Sequence, residues 1–267
     1  MTHGNTARFS HPYAPDGLYG LMVPYGNFAT EWELSVLMSK PSFFITTRLT
    51  DNGGDIQQRL SDYFHPERLA KAVESFGSTP LNAIGVACSS TSYFIGSENE
   101  ARIFSGLGER YGTQFIRAAE AMKSGLDALG TRSVELVSPY PAAITERCVE
   151  YWQQMGFRVT GVCQLQNPNP GFHSIYTLTP SDVEDTLAEV ASRATSPILI
   201  TGTGLSSLPV IQRILTSSRL ASPPILSSTL CLARSLLAAG GAQAVSPADW
   251  FTRDAGWLHS TPAGAIR

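Results

Sequence analysis

The chain has 267 residues, of which 43% are hydrophobic, 15% charged and 9% aromatic, enough to bury the core of one or two soluble globular domains. Nineteen Lys and Arg against 22 Asp and Glu give a formal net charge of −3, without the basic surplus that a nucleic-acid-binding face requires. No apolar run reaches the roughly 18 residues of a membrane-spanning helix, and the four cysteines form no CxxC pair, so a cytoplasmic protein with free thiols and no nucleic-acid or membrane partner is expected.

Residues 1–17 are polar and broken by Pro and Gly, and they lack the apolar stretch of a secretory signal. They are expected to form a loosely packed arm. GLYGLMVP then reads as a first buried strand ending near Pro24, and residues 31–39 as a helix capped from Thr30. FFITTRL, 43–49, is a second strand. Leu69, Ala70, Ala72, Val73 and Phe76 recur at helical spacing over 66–76. LNAIGVAC, 81–88, is a third strand that stops at the hydroxyl-rich turn 89–92. The spacing predicts a helix over 115–129, ended by Gly130, and a strand over 133–139. A helix over 141–155 ends at Gly156. Strand 157–165, helix 181–193, strand 196–202, helix 207–217, strand 223–228 and helix 230–239 complete the series. Such alternation means an α/β fold with parallel sheets.

The two halves repeat. Pro24-Tyr25 and Pro139-Tyr140 lie 115 residues apart, and so do Thr30-Glu31 and Thr145-Glu146. The strand ends at Cys88 and Gly202 lie 114 apart. A duplicated α/β domain follows, divided as an arm, 1–17, a first lobe, 18–112 and 224–240, a second lobe, 113–223, and a C-terminal tail, 241–267. Ligands of open α/β sheets sit beyond the carboxyl ends of strands. Facing lobes would therefore set Cys88 and Gly202 on opposite walls of one cleft. Trp250, Phe251 and Trp257 in the tail leave open either a packed tail or the interface of a homo-oligomer.

Cys88 carries the strongest chemical signal. A helix starting at Ser89 to Thr91 would turn free N–H groups toward a carboxylate and favour a thiolate. Against this stands the ordinary fate of cysteine as a small buried hydrophobe. Cys148, Cys163 and Cys231, inside predicted elements, read as core. TGTGLSS, 201–207, lacks the Lys of a phosphate loop and the third glycine of a dinucleotide fingerprint, but its amides suit an oxygen anion. Tyr140 and Asn27 offer donors at strand ends, and each is equally a packing or turn residue. Arg48 suits either a carboxylate or a surface ion pair. The five histidines are scattered singly, with no metal-site spacing; His173 offers a base in a loop, where a lone histidine is usually just solvated. GxSxG is absent, which argues against a Ser hydrolase of the α/β type.

Four segments, GLMVPYGNFATEWE, ACSSTSYFIG, VELVSPYPAAI and ILITGTGLSSLPVI, run in the order found in the Asp/Glu racemase superfamily. The chain resembles its maleate cis-trans isomerase and arylmalonate decarboxylase branch over nearly all of its length after the arm. The resemblance implies two pseudo-symmetric, flavodoxin-like lobes with the active site between them, chemistry without cofactor or metal, and a small carboxylate or dicarboxylate as substrate. It gives Cys88 as the catalytic thiol, and Asn27, Ser89, Ser90, Tyr140, Gly202, Thr203 and Gly204 as substrate-binding positions. Gly202 stands where two-cysteine members carry the second thiol. A family Asn is replaced around 172–174. A maleate-type isomerase ranks first on this reading, a decarboxylase with Cys88 as proton donor second. A carboxylate-binding protein without chemistry is the rival class. A Gly202→Cys change is expected to create or alter racemising activity.

Overall fold

A computed structural model describes residues 12, 14, 17–38, 43–167, 174–217, 222–241 and 246–259. The predicted arm lies almost wholly outside them, as do Phe172 and His173. In chain order the elements are β1 (Leu18–Pro24), α1 (Ala29–Leu37), β2 (Phe43–Leu49), α2 (Ile56–Tyr63), α3 (Pro66–Glu74), β3 (Ala83–Val86), α4 (Ser89–Ile95), α5 (Ser97–Tyr111), β4 (Phe115–Arg117) and α6 (Ala118–Ala128). They continue as β5 (Ser133–Ser138), α7 (Ala142–Gln154), β6 (Arg158–Gln164), a 3-10 turn (Ser174–Thr177), α8 (Pro180–Arg193), β7 (Ile198–Ile200), α9 (Leu208–Thr216), β8 (Ile225–Ser227), α10 (Ser228–Ala239), α11 (Pro247–Trp250) and a last 3-10 turn (Gly256–His259).

The strands form two parallel four-stranded sheets of the same topology, β2-β1-β3-β4 and β6-β5-β7-β8. The order 2-1-3-4 is that of a flavodoxin-like sheet, whose ligand site lies where the strand order reverses, between its first and third strands. The duplicated fold thus presents two such switch points, after β1 and β3 in one lobe and after β5 and β7 in the other. The central strands are buried along nearly their whole length because helices cover both faces, and the buried Glu135 of β5 is paired with Arg193 at 2.8 Å. Edge strands β2 and β6 are only half covered and alternate in burial.

Two strands fall across the expected lobe boundary. Residues 115–117, read as the start of a helix within the second lobe, are β4 and pair with β3 in the first sheet, Ile84 facing Phe115. Residues 225–227, placed with the first lobe, are β8 and pair with β7 in the second. The helix that follows, α10, does cross over to pack on β3, β4 and α6. Its apolar face, rather than the strand before it, belongs with the first lobe. The tail is packed. Trp250, Phe251 and Trp257 are buried, not exposed. The Ile225 amide donates to the Phe251 carbonyl at 3.0 Å, and the Trp250 indole donates to the Leu230 carbonyl at 3.0 Å. Among the described residues no helix is long and apolar enough to cross a membrane.

Candidate active site

Four strand ends converge between the lobes. Beyond β1 the chain turns through Pro24 to Asn27, beyond β3 through Ala87 and Cys88 into α4, beyond β5 through Pro139 and Tyr140, and beyond β7 through residues 201–207. A buried hydrogen-bond network locks these turns together. The Asn27 amide donates to Thr30 Oγ1 at 2.9 Å and across the lobes to Thr203 Oγ1 at 3.1 Å. Thr203 Oγ1 donates back to the Ala87 carbonyl at 2.7 Å, and Thr30 Oγ1 donates to the Thr203 carbonyl at 2.8 Å. The predicted cap at Thr30 is replaced by Asn27, whose Oδ1 accepts from the Thr30 amide at 3.1 Å. Arg48 takes the surface role. It pairs with Glu31 at 2.6 Å and donates to the Asn27 carbonyl.

A small cavity of about 40 Å³ opens inside this ring of turns. Cys88, Ser90, Tyr140, Thr203 and Gly204, five of the eight expected site residues, line it. Asn27, Ser89 and Gly202 are not among the lining residues. Asn27 is spent on the lobe-to-lobe network, and Ser89 Oγ lies 3.3 Å from the Tyr140 hydroxyl, which it orients. Gly202 has no vacant place for a second thiol. Its φ is +87°, a conformation that side chains avoid. A Cβ there would lie 2.6 Å from Ile175 Cδ1 and 2.8 Å from Pro139 Cγ. The expected gain of racemising activity in Gly202→Cys is therefore withdrawn, because the change breaks the turn before it offers a thiol.

Cys88 closes β3 and precedes the first turn of α4, where amides lack intrahelical acceptors. Its Sγ lies 3.3 Å from Thr91 Oγ1 and 3.8 Å from Ser90 Oγ. Thr91 is held by its own donation to the Leu60 carbonyl at 2.8 Å. The thiol is buried, and that burial pushes it above its ordinary value, only partly offset by the contacts from Thr91 and Ser90. The expectation of a thiolate thus gives way to a thiol that burial pushes up. Desolvation outweighs a single short helix turn. The other three cysteines are free. Cys148 and Cys231 are buried as expected, and Cys163 is half-buried on edge strand β6.

Several lining residues had no sequence signal. Leu60 and Tyr63 come from α2, which Asp55 caps by accepting from the Gln58 amide at 2.9 Å. The Tyr63 hydroxyl is buried without a hydrogen-bond partner among the described residues, on a wall it shares with Cys88. A buried orphan hydroxyl is costly unless something else occupies it, as a bound ligand would. Ile175 and Tyr176 arrive from the 3-10 turn after β6. No Asp, Glu, Lys, Arg or His stands among the described lining residues. No group of three His, Cys, Asp or Glu that could hold a metal occurs among the described residues.

Two duplicated flavodoxin-like lobes with a thiol at a strand end in the cleft between them define the Asp/Glu racemase-like class. The family model described as arylmalonate decarboxylase matches residues 62–249, and the chain belongs to this family. No curated protein sequence matches significantly. Among solved structures, maleate isomerase from Pseudomonas putida S16 aligns with a TM-score of 0.72 at 20% identity, over 86% of this chain and 98% of that one. Unliganded arylmalonate decarboxylase aligns with a TM-score of 0.68 at 20% identity, over 85% and 94%. A mutant of the Nocardia farcinica maleate cis-trans isomerase carrying a covalently bound succinylcysteine intermediate aligns with a TM-score of 0.63 at 21% identity, over 84% and 92%. At these identities the likeness concerns the fold.

Proposed function

We propose that this protein is a decarboxylase of malonate-type dicarboxylates in which the Cys88 thiol delivers the proton. The carrying observation is a buried Cys88 on the wall of a cavity that has no ionisable acid, base or cation among its described lining residues other than thiol and phenols. One carboxylate of the substrate would accept from the Ser90 hydroxyl, from the first-turn amides of α4 and from the turn at Thr203 and Gly204, with the Tyr140 hydroxyl, oriented by Ser89, as a further donor. The other would face Leu60, Ile144 and Ile175, where nothing solvates its charge. Its C–C bond breaks, and CO2 leaves. The electron pair stays on the remaining fragment as an enediolate, stabilised by the donors around the first carboxylate. The Cys88 S–H then protonates the carbon, and water returns a proton to sulfur.

Maleate isomerisation is the second reading, since maleate isomerases stand beside arylmalonate decarboxylases among the solved structures of similar fold. A succinylcysteine is a thiol adduct, and forming one here would first require removal of the Cys88 proton in a site where burial holds it on. That requirement ranks decarboxylation first. The test is CO2 release from malonates of increasing α-substituent size, together with fumarate formation from maleate. CO2 from at least one malonate, lost in Cys88→Ala, is the expected result. Fumarate without CO2 would establish the isomerase in its place.

A further inference from the structure

One of the side chains that line the cavity holding Cys88 stands between the two lobes. Tyr176 reaches from the 3-10 turn after β6 into the gap between the lobes, with backbone on both sides of its ring. On one side is Gly26, in the turn after β1. A Cβ there would lie 2.7 Å from both Cδ2 and Cε2 of the ring. On the other is Gly204, in the turn after β7, where a Cβ would collide with Cε1. Neither glycine has a positive φ, so neither is required by its own turn. What both positions share is the ring between them. Glycine at 26 and at 204 is the condition for an aromatic side chain to sit there, wedged between the first lobe and the second.

The ring also forms part of the cavity wall beside Cys88, Thr203 and Gly204. The space left is about 40 Å³. We infer that Tyr176 sets the size limit of the substrate: it fills the place that a bulky α-substituent would take, so the site accepts a short aliphatic dicarboxylate and excludes an aryl-substituted one. This rests on the decarboxylase reading for the identity of the dicarboxylate, but the size limit concerns binding and is measurable without turnover.

The experiment compares binding of two carboxylates of the product type, propionate and phenylacetate, by isothermal titration calorimetry on wild-type protein and on Tyr176→Ala. Circular dichroism and melting confirm that the variant is folded. Wild type is expected to bind propionate at least tenfold more tightly than phenylacetate. Tyr176→Ala is expected to gain at least tenfold for phenylacetate. Tyr176→Leu, which removes the ring but keeps an apolar contact, should fall between them and serves if the alanine variant does not fold. Equal affinities in wild type, or a folded variant with no gain for phenylacetate, would overturn the inference. Failure of the decarboxylase reading appears separately, as absence of CO2 from methylmalonate in a protein that still shows the binding preference.

Discussion

The protonation state of one sulfur decides what this site can do. Sequence alone locates Cys88 at a strand end before a hydroxyl cluster, and that placement holds. What sequence could not weigh is desolvation against the pull of a single helical turn. Burial prevails, and the thiol is pushed up rather than down. Iodoacetamide should therefore alkylate Cys88 slowly at neutral pH, with a rate that climbs only above the ordinary thiol value of about 8.5. Fast alkylation at pH 7, followed by mass spectrometry of the peptide, would contradict a neutral thiol. Gly202 supplies the second residue-scale prediction. With φ at +87° and Ile175 and Pro139 against the Cβ position, Gly202→Cys should cost at least about 1–2 kcal/mol, visible in denaturant melts, and should add no racemisation. Here the aligned repeat carried no information on backbone sign or space.

At the scale of elements, the long regular segments were readable and the short or glycine-bearing ones were not. Strands β1, β2 and β5 are runs rich in apolar and β-branched residues bounded by turn residues, and their extents match the reading closely. Strand β4 has three residues and is continuous with α6, so helical periodicity absorbed it. Helix α5 contains Gly106 and Gly108, each costing about 1 kcal/mol of helix propensity, and its buried face is held by Phe104, Leu107 and the tertiary contacts of Glu100. Helix α2 follows a Gly-rich turn and is mostly polar, yet it brings Leu60 and Tyr63 to the site. The turns themselves are bound by the Asn27, Thr30, Thr203 and Ala87 network. Each buried partner removed should cost about 1–3 kcal/mol by leaving a donor or acceptor unmet. In a double-mutant cycle Asn27→Ala and Thr203→Val should couple by about 0.5–3 kcal/mol, because they share one hydrogen bond across the lobes. Additive losses in urea melts would show that the network does not join the lobes energetically.

The whole molecule is tied together by a further cross-lobe contact that alternation of strands and helices does not predict. Glu33, on the buried face of α1, accepts from the Ser207 and Leu208 amides, each at 2.7 Å, and so caps α9 of the opposite lobe. Its position is visible in hindsight at spacing i, i+4, i+8 with Ala29 and Leu37, both buried. Burial raises its carboxyl to about 7, against an ordinary 4.5, with the two amides and neighbouring hydroxyls pulling the other way. The folded state therefore binds more protons than the unfolded chain between those values, and stability falls as pH rises through that window, then levels off above it. Glu100, buried beside Ser92 and also raised to about 7, acts in the same direction. Glu33→Gln keeps an acceptor for the amides and has no proton to lose, so the fall in melting temperature from pH 5 to pH 8 should be smaller than in wild type. An unchanged slope would place the titration elsewhere.

Both sheets aim their switch points at one cavity, and the account stands on what Cys88 does there. The most direct measurement is proton NMR in D2O of methylmalonate with wild-type protein and with Cys88→Ala. The predicted result is propionate carrying one deuterium at the carbon that lost CO2, formed by wild type and abolished in the folded variant. Undiminished propionate in Cys88→Ala, or fumarate from maleate with methylmalonate left intact, would contradict Cys88 as the proton donor of a decarboxylase.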